Sequence, residues 1–61
     1  MLKKIKHWLT NPKLDQIWIS DISEVVVVEV GHGFVIVWNT SVYNYFRYSK
    51  EFFKKNFRRI K

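Results

Sequence analysis

Glu24-Val25-Val26-Val27-Val28-Glu29-Val30-Gly31-His32-Gly33-Phe34-Val35-Ile36-Val37-Trp38 is the stretch on which the fold turns. Two runs of β-branched and aromatic residues flank a Gly-His-Gly break, and glycine supplies the positive φ that a tight hairpin loop requires. The reading is a β-hairpin with strands at 24–30 and 34–38. With a three-residue loop, Val30 faces Phe34, Val28 faces Ile36 and Val26 faces Trp38, which gathers six large apolar side chains on one face. Val25, Val27, Val35 and Val37 take the other face. Both faces are therefore apolar, whereas a sheet with one wet face alternates apolar with polar residues. The second face needs a covering element as well as the first.

Downstream, Asn39-Thr40-Ser41 fits a glycosylation sequon but reads first as a turn between strands. A third strand over 42–48 puts Val42, Asn44 and Phe46 on one side and Tyr43, Tyr45 and Arg47 on the other. Ser49 suits a helix N-cap, Glu51 falls where the helix dipole favours an acid, and bases load the last turns, which predicts a helix over 50–60. Phe53, Phe57 and Ile60 would form its apolar stripe. Upstream, Leu2, Ile5, Trp8 and Leu9 recur at helical spacing and predict a short helix over 2–9. Asn11-Pro12 marks a boundary, and 12–19 reads either as a helical turn or as a strand at Ile17-Trp18-Ile19. The expected architecture is one α+β domain over 1–61. It is a three-stranded antiparallel meander with a C-terminal amphipathic helix across one face and a short N-terminal helix against the other or along an edge, and a dimer pairing sheet faces is the alternative.

A chain of 61 residues forms one domain, and domains of that size bury only about 60% of the surface their unfolded chains expose. There is no cysteine, so neither a disulfide nor a thiolate metal site assists, and stability must come from the eleven aromatic residues. The basic start lacks the apolar run that a signal peptide needs, and no window approaches the roughly 20 apolar residues of a membrane span. A cytoplasmic protein is expected.

Charge is segregated. Four lysines precede Leu14, seven bases and Glu51 follow Phe46, and Leu14 to Phe46 holds only Asp15, Asp21, Glu24 and Glu29 as charged side chains, so the local balances are +4, −4 and +6 and the net charge is +6. Such polarisation favours an anionic partner. No reaction is legible. His7 and His32 lack the second ligand that metal-site spacing would provide, and Glu24 and Glu29, five apart on a strand, should point to opposite faces. Ser49 has no base placed beside it. No catalytic, metal or cofactor residue is assigned, and the protein is not expected to be an enzyme.

Two binding readings compete. In one, an acidic protein meets an apolar sheet surface, Val25, Val27, Val35 and Val37 with Tyr43 and Tyr45, or an open strand edge, and is steered by the basic helix. In the other, nucleic acid is gripped by Lys3, Lys4, Lys6, Arg47, Lys50, Lys54, Lys55, Arg58 and Arg59. Adsorption of the helix to an anionic membrane is set aside, because the sheet needs the apolar stripe that a membrane would take.

A meander closed by a C-terminal helix resembles the chromodomain-like and archaeal chromatin-protein folds, some of which bind nucleic acid. Their recognition residues do not map onto this chain: no aromatic cage aligns, and Leu14 to Phe46 has no base. Over residues 24 to 60, the Val-rich hairpin and the closing Ser49-Lys-Glu-Phe-Phe-Lys-Lys-Asn-Phe57 segment are also similar to small bacteriophage proteins. That resemblance implies a non-enzymatic protein that binds and modulates a host factor.

Overall fold

The computed structural model describes residues 11–61. The helix expected over 2–9, with Lys3, Lys4 and Lys6, lies outside the described residues.

The central hairpin forms as β2 (Glu24–Val30) and β3 (Phe34–Asn39), and it is flanked by β1 (Ile17–Ile19) and β4 (Asn44–Ser49). Helix α1 (Lys50–Asn56) and the short β5 (Arg58–Arg59) complete the order. Among the described residues the strands make one five-stranded sheet, β4-β3-β2-β1-β5, antiparallel at every step. This replaces the three-stranded meander with a terminal helix over 50–60. Ile17-Trp18-Ile19 is a strand, which resolves the choice left open over 12–19.

The helix stops early for a local reason. Asn56 donates its side-chain N–H to the Phe52 carbonyl at 2.8 Å, and Phe57 is extended at φ −123° and ψ 155°. The chain then pairs with the outer edge of β1: Ile60 N–H donates to the Ile17 carbonyl at 2.9 Å, and Ile17 N–H to the Lys61 carbonyl at 3.0 Å. Ile60 therefore leaves the expected apolar stripe, while Phe53 and Phe57 remain in the core with ring centroids 4.7 Å apart. The Ser49 cap forms as expected, its Oγ accepting from Phe52 N–H at 3.1 Å.

Register in the hairpin departs from expectation twice; the two departures cancel from Val27 back to Val25 but move Val30 from the expected outer face to the core side. Gly31 N–H donates to the Phe34 carbonyl at 3.0 Å, so the loop is the two residues His32 and Gly33, with Gly33 at φ +89°, a conformation glycine adopts without strain. Val30 thus pairs with Val35 rather than Phe34. A β-bulge between Val27 and Glu29 takes up the extra residue at Val28, and Val26 faces Trp38 as expected. The bulge also reverses parity, so Glu24 and Glu29 share a face instead of opposing each other, separated by Val26.

The strand expected over 42–48 begins two residues later. Asn39 is buried, its Oδ1 accepts from Ser41 N–H at 2.8 Å and Val42 N–H at 3.3 Å, and its carbonyl accepts from Tyr43 N–H at 2.9 Å. This Asx-type turn consumes 40–43 and leaves Val42 exposed.

Candidate functional site

Face assignment follows from register. Trp18, Val25, Val27, Val35 and Val37 point to one side, where they meet Phe53 and Phe57. Trp18 and Phe53 lie 4.8 Å apart, and Tyr48 stacks on Phe52 and Phe53 at 5.4 and 6.0 Å and meets Phe57 at a tilt, 5.5 Å away. The four valines are 0% exposed. They are the floor under α1, and their assignment to a protein contact is corrected: small β-branched side chains leave the depth that large helix and strand rings need.

The contact candidate moves to the opposite, outer face. Ile17, Val26, Trp38 and Tyr45 form one row across four strands, with Glu29, Ile36 and Arg47 in the next. Ile19 and Phe34 extend the surface. Ile17, Ile19, Val26, Phe34, Ile36 and Trp38 are half-buried, and among the described residues no element is packed over them. Its aromatic corner is ordered by contact: Trp38 meets Tyr45 edge-on at 4.8 Å and Tyr43 at 6.4 Å. Tyr43 is 76% exposed and has φ 54°, a left-handed backbone that a bulky residue rarely adopts. Tyr43 and Tyr45 are contact candidates from the sequence, and the structure joins them to Trp38. The signal was its parity with Tyr45.

At the other end of this face, the Phe34 ring folds across Gly31, where a Cβ would collide with the ring. The Arg47 guanidinium lies over Phe34, 4.5 Å from its centroid. Such a cation on a ring gains about 0.5–1 kcal/mol when exposed.

The bases expected to act together are spread apart. Arg47 and Arg58 lie on the outer face at opposite margins, since Arg58 pairs with Ile19 at the far edge. Arg59 pairs with Trp18 and so takes the helix side. Lys50, Lys54 and Lys55 belong to α1, and Lys54 Nζ donates to Asn11 Oδ1 at 3.1 Å. Glu24 and Glu29 break the outer face between the two arginines. The described bases do not make one unbroken track.

His32 is exposed at the hairpin tip. Among the described residues no three His, Asp or Glu side chains gather as a metal site, and no helix is long and apolar enough to cross a membrane. No known protein family, curated protein or solved structure matches the chain.

Proposed function

We propose that this is a non-enzymatic cytoplasmic binding protein whose contact surface is the outer sheet face, centred on Ile36, Trp38 and Tyr45, and whose partner is an acidic protein. The observation behind this reading is a band of six half-buried apolar residues over which no element packs among the described residues, on a sheet whose other face is filled by α1. Contiguous exposed apolar surface on a small protein marks interaction sites, and aromatic residues with arginine are the side chains enriched at interface centres. Net charge of +6 steers such a face towards acidic proteins. The resemblance to bacteriophage proteins makes that partner a host factor whose activity is modulated.

Nucleic acid fits this geometry less well. Phosphate tracking wants a continuous basic groove, and here the arginines of the outer face are parted by two glutamates while the helix lysines sit on the other side.

The test is capture from a bacterial lysate with and without exhaustive nuclease treatment, using wild type, a Trp38→Ser/Tyr45→Ser variant and a Lys54→Gln/Lys55→Gln/Arg58→Gln/Arg59→Gln variant. The reading expects one defined protein, retained after nuclease, lost with the aromatic variant and kept by the charge variant. Recovery of nucleic acid alone, abolished by nuclease and by the charge variant, would overturn it.

A further inference from the structure

The two edges of the sheet are unlike. One is β5, two arginines long; side by side, such charges discourage strand addition. The other is β4, six residues of sequence Asn-Tyr-Phe-Arg-Tyr-Ser with no acid in it. Ladder alternation shows which backbone groups of β4 lack a strand partner among the described residues. Lys50 N–H donates to the Gly33 carbonyl at 3.0 Å, and Val35, Val37 and Asn39 pair with Tyr48, Phe46 and Asn44. Tyr48, Phe46 and Asn44 therefore bond inward to β3, and Tyr45, Arg47 and Ser49 turn their N–H and C=O groups outward. One outward donor has a makeshift partner: Tyr45 N–H donates to the neighbouring Asn44 Oδ1 at 2.8 Å.

We propose that β4 is a homodimerisation edge, pairing antiparallel with β4 of a second copy about a two-fold axis at Phe46. Chemistry selects this register. An axis at Arg47 would set Arg47 directly against its own copy, which like charges disfavour. Moving the axis one residue to Phe46 places the two Phe46 rings opposite each other in a non-hydrogen-bonded pair, where side chains approach most closely. It also puts each Tyr45 opposite Arg47 of the second copy, a cation–ring pair on the outer face. Tyr45 and Arg47 then exchange both backbone bonds with the second copy on either side of the axis.

The side chains at this edge are those a dimer would cover. Phe46 is 38% exposed and Phe52 49%, and Phe46 continues the Tyr48–Phe52 stack, with centroids 6.3 Å and 5.4 Å apart. Two such stacks would meet on the helix side. On the other side the outer faces of both copies would run into one ten-stranded surface, doubling the contact area proposed above without covering it. The closure is isologous, so it stops at two.

Sedimentation equilibrium from about 1 μM to about 1 mM, bracketing the range of weak dimers, tests this on the full chain. Wild type is expected to dimerise within that window, with Arg47 and Tyr45 amide exchange slowing as concentration rises while the Phe46 amide does not change. Phe46→Lys sets like charges across the axis and should weaken the dimer at least tenfold. Replacing the Arg47 amide by an ester in a synthetic chain removes an outward donor and keeps every side chain, and should weaken it similarly. Asn44→Ala frees the Tyr45 donor and should tighten the dimer by a few-fold. A monomer throughout the range overturns the proposal, as does a dimer indifferent to Phe46→Lys and the ester yet broken by Trp38→Ser, which would mean pairing through sheet faces. Partner capture by the outer face is read separately, so its failure is distinguishable from failure of dimerisation.

Discussion

Val37→Thr is the substitution that weighs the inside-out assignment of the sheet, because it changes one methyl to a hydroxyl without changing shape. Val37 is 0% exposed and lies between Val27 and Phe46, its partners on the neighbouring strands, neither of which offers a hydrogen-bonding side chain. An unpartnered hydroxyl buried there costs about 1–3 kcal/mol on the protein mutational scale. Val26→Thr is the matched control, since Val26 is half-exposed on the outer face and water can satisfy the hydroxyl, which limits the loss to about 0.5 kcal/mol. At roughly 0.05–0.15 kcal/mol per residue, a 61-residue domain has about 3–9 kcal/mol of stability in total, so the Val37 loss is a large share. Urea unfolding followed by fluorescence of the buried Trp18 reads the difference. With a slope of about 1 kcal/mol per molar for a chain this small, the Val37 midpoint should fall by about 1–3 M and the Val26 midpoint by half a molar at most. Equal losses at the two positions would refute the face assignment. A larger loss at Val26 would mean that the outer face is the true core.

Phe53→Ala should cost about 3–5 kcal/mol and leave the chain largely unfolded, while Phe52→Ala, removing a ring that is half in water, should cost under about 1 kcal/mol; circular dichroism melts separate the two. Ser49→Ala removes the acceptor for Phe52 N–H and should lower stability by about 1 kcal/mol in the same denaturation assay. Gly33→Ala, with open space around the site but φ +89°, should cost about 1–2 kcal/mol from backbone strain alone. Gly31→Ala should instead displace the Phe34 ring and with it the Arg47 contact, visible as a change in the ring-current shifts of the Arg47 side-chain protons.

Strand content in the centre was legible because Val, Ile and aromatic runs with glycine between them have few other uses. The division into two faces was legible only on the turn-distal side of the bulge, from Val25 to Val27 and from Val35 to Trp38; past it parity reverses, and Val30, expected beside Phe34 and Ile36, packs against the core instead. What could not be read was which face looks inward. Valine on one side and Ile36, Phe34 and Trp38 on the other are both apolar, and the decision lies with the covering element: Phe53, Phe57 and Tyr48 are large, so they need the shallow valine floor. The end of α1 was misread for a related reason. Phe53 and Phe57 are four apart both in a continuing helix and in the observed helix whose final phenylalanine is already extended, so periodicity was blind to the stop. Pairing with β1 decided it, and that partner lies some forty residues away in sequence.

The distribution of charge follows from the same topology and bears on the binding readings. Bases at both ends of the chain suggested a single cationic surface. Pairing of β5 with β1 instead turns successive arginines to opposite sides of the sheet, because side chains alternate along a strand. Had the helix continued to Ile60, Arg58 and Arg59 would have stood beside Lys54 and Lys55 on one cylinder, the arrangement a phosphate backbone requires. The strand breaks that cylinder and sends Arg58 to the margin of the apolar face, across the sheet from Arg47. An apolar centre with separated basic margins suits docking to a folded acidic surface, where charge sets approach and orientation and apolar burial supplies the affinity. The salt response distinguishes this from a polyanion grip. Added salt should slow association with the partner while leaving dissociation nearly unchanged, whereas phosphate release would show as a steep loss of affinity on a logarithmic salt axis.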